Sequence, residues 1–150
     1  MSIERKEKYE DIEIWKNFLV YHKDVTSRIE TSLKRSDCIS LAWYDILIVI
    51  ERSKEKNMTM KELIDETVLT KSGVSKILDR IEEGKLISRK KSHLDARSVF
   101  IAITKEGSLE VRKAWSIYKK CIEDFFLATL STSEKTILKT VLIKLRSKLE

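Results

Sequence analysis

Apolar positions recur every three or four residues along most of the chain, the period of an amphipathic helix. Over residues 8–34, Ile12, Trp15, Leu19, Ile29 and Leu33 fall on one stripe, interrupted by His22 and Thr26. Ile14, Phe18, Tyr21 and Val25 form a second stripe beside it. Two adjacent stripes exceed what one helix needs to sit on a core. They predict either a deeply buried helix or one that serves a core and a subunit contact together. Ser40 is placed to cap a second helix, about 41–53, carrying Ile46, Leu47, Val49 and Ile50. Lys54 to Asn57 reads as a polar loop. Thr59-Met60-Lys61-Glu62 matches a capping box opening a short helix, 60–66, with Leu63 and Ile64 inward.

Thr70 is the expected N-cap of a helix over 71–82, whose Val74, Ile77, Leu78 and Ile81 follow the i, i+3, i+4, i+7 pattern. Gly84 stands where a left-handed residue closes a helix. Gly73 lies on the flank of the apolar face, where a missing side chain would let another helix approach. The period then changes. Leu86 to Lys91 and Arg97 to Ile103 read as strands, the second with Val99, Ile101 and Ile103 alternating. Ser92 to Ala96 connect them as a hairpin. Thr104 opens a helix running to about 129, lined by Leu109, Val111, Trp115, Tyr118, Ile122, Phe125 and Phe126. Ser131-Thr132-Ser133-Glu134 is a second capping box, starting a last helix with Leu138, Val141, Leu142, Leu145 and Leu149 on one face.

The order after residue 59 is helix, short turn, helix, hairpin, which defines a winged helix-turn-helix. The expected fold is mainly α with a small β-hairpin wing and about six helices. With the core positions of 71–82 turned inward, Ser72, Ser75 and Lys76 point outward, Lys71 sits at the boundary, and Asp79 and Glu83 point outward further along. Hydroxyls and cations therefore occupy the N-terminal half and acids the C-terminal half. A helix entering a groove by its N-terminus keeps those acids away from phosphate, and the helix dipole favours phosphate at that end.

Composition sharpens this reading. The 150 residues include no proline and three glycines, too few breakers for a sandwich or barrel with many tight turns. Charged residues are 36% and apolar residues 42%, interleaved, with a net charge of +6. A basic balance favours nucleic acid or an anionic surface. From Lys85 to Lys105, six cations face one acid, Asp95. That charge sits on the ribbon beside the candidate recognition helix, where it could track phosphates or reach a minor groove. The longest clean apolar run, Ile46 to Ile50, is far short of the ~20 residues that span a bilayer, and the first residues carry no signal-peptide pattern. A cytoplasmic protein with no membrane partner is expected. Cys38 and Cys121 have no metal-type spacing and form no disulfide framework. No nucleophile elbow, phosphate-cradling glycine loop or histidine cluster points to an enzyme. A winged helix used for protein contacts is the alternative, which an acidic or neutral wing would favour.

The stretch Leu63 to Gly107 resembles the MarR (multiple-antibiotic-resistance regulator) family of bacterial winged-helix repressors. The likeness rests on Thr70-Lys71-Ser72-Gly73-Val74-Ser75-Lys76-Ile77-Leu78-Asp79-Arg80-Ile81-Glu82 and on Gly84-Lys85-Leu86-Ile87-Ser88-Arg89. Asp95-Ala96-Arg97-Ser98 and Ile103-Thr104-Lys105-Glu106-Gly107 complete it. The resemblance implies that Arg97 enters the minor groove, positioned by Asp95. It also implies a homodimer built through residues 1–35 and 104–150, with a DNA-binding lobe over 40–103, on a double-stranded, pseudo-palindromic operator. The expected DNA-facing residues are Thr70, Lys71, Ser72, Ser75, Lys76, Arg89, Lys90, Lys91, His93, Asp95 and Arg97. Many relatives bind small aromatic or anionic effectors between the dimer helices and the DNA-binding lobe. Trp15, Phe18, His22, Trp43, Tyr44, Trp115 and Tyr118 are the candidates here, although aromatics at helical spacing commonly serve as core or dimer seam.

Peroxide-sensing relatives use a cysteine near the start of the first helix, and this chain has none before Cys38. A nearby cation could lower the Cys38 pKa, but an incidental thiol is the simpler reading. Cys121 is expected to fill apolar space. Zinc-sensing relatives need a His/Glu/Cys cluster. His22 and His93 lie far apart, so no metal site and no cofactor are expected.

Overall fold

The computed structural model describes the backbone of residues 3–67, 70–91 and 99–149, and the side chains of 12–67, 70–90 and 99–149. The order is α1 (Ile3–Arg35), α2 (Leu41–Arg52), β1 (Asn57–Thr59), α3 (Met60–Glu66), α4 (Lys71–Glu83), β2 (Ile87–Lys91), β3 (Val99–Ile103), α5 (Lys105–Ile122) and α6 (Thr132–Arg146). A π-helical turn, Glu123–Leu127, follows α5. The chain divides into two compact units, residues 30–117 and residues 1–29 with 118–150. No helix among the described residues is long and apolar enough to cross a membrane.

The 30–117 unit holds the winged helix. Its core gathers Leu33, Ile46, Leu47, Ile50, Leu63, Val74, Leu78, Ile81, Ile87 and Ile101, all buried. The sheet is three-stranded in the order β1-β3-β2, antiparallel throughout. Lys54 to Asn57 is therefore not only a loop, because Asn57–Thr59 pairs with β3. A three-residue strand has no readable alternation, and it exists here only because β3 supplies its hydrogen-bonding edge. Met58 lies opposite Ile101, and both are buried.

The helix starts follow side-chain chemistry. Ser40 Oγ accepts from the Trp43 amide at 3.3 Å, and Leu41 N donates to Glu30 Oε1 at 3.0 Å. Thr59 and Glu62 form the reciprocal capping box, as do Ser131 and Glu134. These contacts to backbone and hydroxyl hold both carboxyl groups below the ordinary range, Glu62 chiefly through the Thr59 amide and Glu134 chiefly through the Ser131 hydroxyl.

The helix ends correct one expectation. Gly84 has φ −72° and is an ordinary right-handed cap, whereas the left-handed residue is Lys85, with φ 60°. Lys85 N bonds to Glu82 O at 2.8 Å and Leu86 N to Ile81 O at 3.1 Å, the paired bonds of a Schellman motif. Asp37, φ 51°, closes α1 in the same way, with Cys38 N on Leu33 O at 3.0 Å.

Gly107 is the glycine whose missing side chain makes room. A Cβ there would lie 2.2 Å from Leu86 O and 2.8 Å from Ile103 Cγ1. Thr104, which precedes α5, locks this crossing. Its amide donates to Leu86 O at 3.0 Å, its hydroxyl donates to Lys85 O at 2.8 Å, and the same oxygen accepts from Gly107 N at 3.0 Å. Gly73, by contrast, faces no second helix among the described residues. Of these, a Cβ there would meet the Thr70 hydroxyl alone, at 3.2 Å.

In the unit of 1–29 and 118–150, Tyr21 donates to Phe125 O and its ring lies 6.2 Å from that of Phe126. The Arg28 guanidinium stands 5.7 Å from the centre of the Phe125 ring. The π turn is closed by Ala128 N on Glu123 O at 2.8 Å. It corrects the expectation of one continuous α-helix to residue 129. The burial of α1 changes along its length rather than around it. Ile29 and Leu33 are buried, whereas Ile12, Ile14, Trp15, Phe18 and Leu19 are exposed. Helix α6 buries no residue in this chain. Cys121 is buried, as an apolar filler would be.

Candidate DNA-binding face

Helix α4 is strongly two-sided. Val74, Leu78 and Ile81 are fully buried, while Lys71, Ser72, Ser75 and Lys76 are exposed. Thr70 Oγ1 caps the helix by accepting from Gly73 N at 3.3 Å, with Ser72 Oγ 3.4 Å away. The first turn carries no acid. An anion approaching this end meets free amide dipoles, two serine hydroxyls and two ammonium groups. Residues 68–69, in the turn before α4, lie outside the described residues.

The acids of the C-terminal half have a partner that the sequence alone left unpaired. Arg89 Nη2 donates to Asp79 Oδ1 at 2.7 Å, and Arg89 Nε lies 3.3 Å from Glu82 Oε2, within ion-pair range but not aligned as a hydrogen bond. Strand register explains the reach. Side chains alternate across a sheet, so Arg89 shares its side with Ile87, which is buried. Ser88 and Lys90 point the other way, Lys90 opposite Phe100 and exposed. The three consecutive cations Arg89, Lys90 and Lys91 are therefore not equivalent. The backbone of Lys91 ends β2, but its side chain lies outside the described residues, as do His93, Asp95 and Arg97 entirely.

The seven aromatic and histidine candidates for an effector fall in both units, so the whole set does not converge within either. Trp15, Phe18 and His22 form a ladder along exposed α1, with ring separations of 5.9 and 6.4 Å. Tyr44 is buried and stacks on Trp115 at 6.4 Å with an interplanar angle of 10°. Trp43 is half-buried beside the Gly84 backbone, and Tyr118 is half-buried in the other unit.

Trp43 also lines an open cavity of about 570 Å³ with Asp37, Cys38, Ile39, Ser40, Glu110 and Lys113. Cys38 is no activated thiol. Burial pushes its pKa up, the Lys113 charge opposes this, and Glu110 and Asp37 add to the rise. Lys113 is itself engaged, donating to Asp37 O.

Comparison with known proteins agrees with this architecture. Residues 39–98 match the model of the MarR family. The organic hydroperoxide resistance transcriptional regulator of Bacillus subtilis (strain 168) is 28% identical over 102 residues, 67% of each chain. The crystal structure of Sco3205, a MarR family transcriptional regulator from Streptomyces coelicolor in complex with DNA, superimposes with a TM-score of 0.87. It shares 18% identity over 95% of this chain and 89% of that one. Bordetella bronchiseptica BpsR, whose DNA binding is regulated by 6-hydroxynicotinic acid, gives a TM-score of 0.79 at 13% identity, over 89% of this chain and 98% of that one.

The fold is thus a winged helix-turn-helix. The MarR family match spans the second helix, the helix-turn-helix and the first wing strand of that fold, and the curated relatives the chain resembles are transcriptional regulators.

Proposed function

We propose that the chain is a ligand-responsive repressor that binds a pseudo-palindromic DNA operator as a homodimer. The observation that carries this is the charge sorting of α4. Exposed Ser72, Ser75, Lys71 and Lys76 occupy its capped N-terminal half, and the acids are confined to the other end. In this reading the N-terminal half of α4 enters the major groove. Thr70, Lys71, Ser72, Ser75 and Lys76 meet base edges or adjacent phosphates, while Lys90, Lys91, His93 and Arg97, with Asp95 holding Arg97, follow the wing into the minor groove. Residues 1–35 and 104–150 pair two copies. The uncovered apolar surface of α1 and α6 supports this assignment. Two-fold symmetry places the half-sites about 10 base pairs apart.

The proposed effector is a small aromatic acid, the class to which the BpsR regulator's 6-hydroxynicotinic acid belongs. The aromatic ladder of Trp15, Phe18 and His22, the Tyr44–Trp115 stack and half-buried Trp43 supply candidate ring faces. Selection of bound sites from random duplexes, repeated with aromatic acids present, tests the reading. A two-fold consensus lost on adding an aromatic acid is expected. Binding without sequence preference, or a stable monomer with full affinity in sedimentation, would overturn it.

A further inference from the structure

Arg89 stands among basic residues that look alike in sequence, yet its surroundings set it apart. Asp79 and Glu82 lie three residues apart on α4, so their side chains share one face. The single guanidinium of Arg89 reaches both, at 2.7 and 3.3 Å. Only 29% of the Arg89 side chain is exposed, against 61% for Asp79 and 38% for Glu82. The strand turns Arg89 to the side of buried Ile87 and turns Lys90 to the opposite side. Lys76 and Lys90 make no ion pair among the described residues, so their charge is free for phosphate, whereas that of Arg89 is spent on two carboxylates.

We propose that Arg89 is a positioning residue. It clamps the first wing strand to the recognition helix through Asp79 and Glu82, and so fixes the register in which wing and helix meet DNA. A planar fork suits this task, because one guanidinium can address two carboxylates in fixed directions while an ammonium acts as a point charge. The clamp has a second consequence. Asp79 and Glu82 would otherwise present two uncompensated negative charges beside the DNA-facing half of α4, and Arg89 cancels one of them and draws both towards β2. The inference rests on the reading of α4 and the wing as the DNA-binding elements.

The test uses the full chain, a duplex recovered by selection, and binding isotherms at several salt concentrations. Active-site titration restricts each affinity to folded protein. Arg89→Gln is expected to weaken binding about tenfold, within the usual coupling range of groups in one ion-pair network. The slope of log affinity against log salt stays that of the parent, since no phosphate contact is lost. Asp79→Asn is expected to weaken binding as well, although it removes a negative charge. In the Arg89→Gln background Asp79→Asn adds little, because the clamp is already open. Hydroxyl-radical footprints of Arg89→Gln keep the wing's minor-groove protection but shift or broaden it relative to that of the recognition helix, a selective change that general destabilisation would not produce. Arg89→Lys recovers only part of the affinity.

A salt slope reduced by about one unit on Arg89→Gln would make Arg89 a phosphate contact and overturn the inference. Tighter binding by Asp79→Asn would show that the acid only repels DNA, and would overturn it equally. Failure of the parent protein to select any duplex would instead remove the DNA-binding reading on which the clamp depends.

Discussion

The three glycines form an internally controlled series, and Gly107→Ala is its decisive member. A Cβ at Gly107 would sit 2.2 Å from Leu86 O, where ordinary contact begins at 3.4 Å, so α5 must retreat from the β2 entrance by about 1 Å. The obstacle is backbone and cannot rotate away. Two hydrogen bonds, of 3.0 and 2.8 Å, cross this point, from Thr104 to Leu86 O and to Lys85 O. A retreat of that size carries them past useful length, at about 1 kcal/mol each. The better helix propensity of alanine offsets at most about 1 kcal/mol. The expected loss is therefore about 1–2 kcal/mol, or a melting temperature lower by roughly 2–8 °C for a chain of this size. Urea denaturation at fixed protein concentration measures it. Among the described residues, Gly73→Ala meets only a threonine hydroxyl at 3.2 Å, and Gly84→Ala meets nothing closer than 3.4 Å. Both should lie between neutral and about 1 kcal/mol more stable. A Gly107→Ala variant within about 0.5 kcal/mol of the parent, or the reverse ranking, would refute the close-approach argument.

Three further outcomes follow from local chemistry. Lys85→Gly relieves a left-handed lysine and should stabilise by about 1 kcal/mol, read from the shift in urea midpoint. Asp45→Asn should stabilise at pH 7, because burial, and then the Glu30 charge, raise the Asp45 pKa. A raised carboxyl pKa gives stability that is present below the unfolded pKa and lost as pH climbs through the folded one, so the gap between variant and parent should close in acid. Glu51→Gln should do the opposite. Burial pushes the Glu51 pKa up, but hydrogen bonds from Lys56 and Ser108 and the charges of Lys56 and Arg112 outweigh it and leave the pKa lowered. The variant weakens the 2.6 Å bond from buried Ser108 and should cost about 1–2 kcal/mol at pH 7, a cost that shrinks as pH falls through the lowered pKa.

Local rules carried much of this structure in the sequence. The caps at Ser40, Thr59, Thr70 and Ser131 were readable because each pairs a hydroxyl with an amide three residues on. The α4 stripe was readable because its period is regular. What was not readable depends on distant partners or on backbone angles. Strand β1 is defined by β3, more than forty residues away. The left-handed position fell to Lys85 because helix α4 runs one residue further than its apolar stripe requires, making Gly84 the cap and Lys85 the residue after it. The π turn contains no glycine or proline to announce it. The commitment of Arg89 was hidden because a run of three cations shows no parity until the register of β2 is known. Alternation with Ile87, had the strand start been fixed, would have revealed it. The Gly107 crossing was visible only as part of a family motif, with Thr104 three residues before it, and its physical cause is the Leu86 carbonyl.

The lengthwise division of α1 bears on why a second copy belongs in the proposed function. Where α1 carries Ile29 and Leu33, its apolar stripe is covered within the chain; from Ile12 to Tyr21 both stripes are bare. Helix α6 has the same problem throughout. Its capping box satisfies the first turn, yet Val141, Leu142 and Leu145 remain exposed. An isolated helix of 15 residues is marginal in water, and helices in proteins owe their stability chiefly to an apolar face that is packed. Burying each such side chain is worth about 1.5–3 kcal/mol, so a few of them exceed what capping supplies. A partner that covers these faces therefore contributes to folding as much as to association. A self-complementary two-fold contact meets the need with no foreign surface, because each copy brings the same bare stripes. The proposed dimer thus answers a deficit written into α1 and α6 separately from the chemistry of α4.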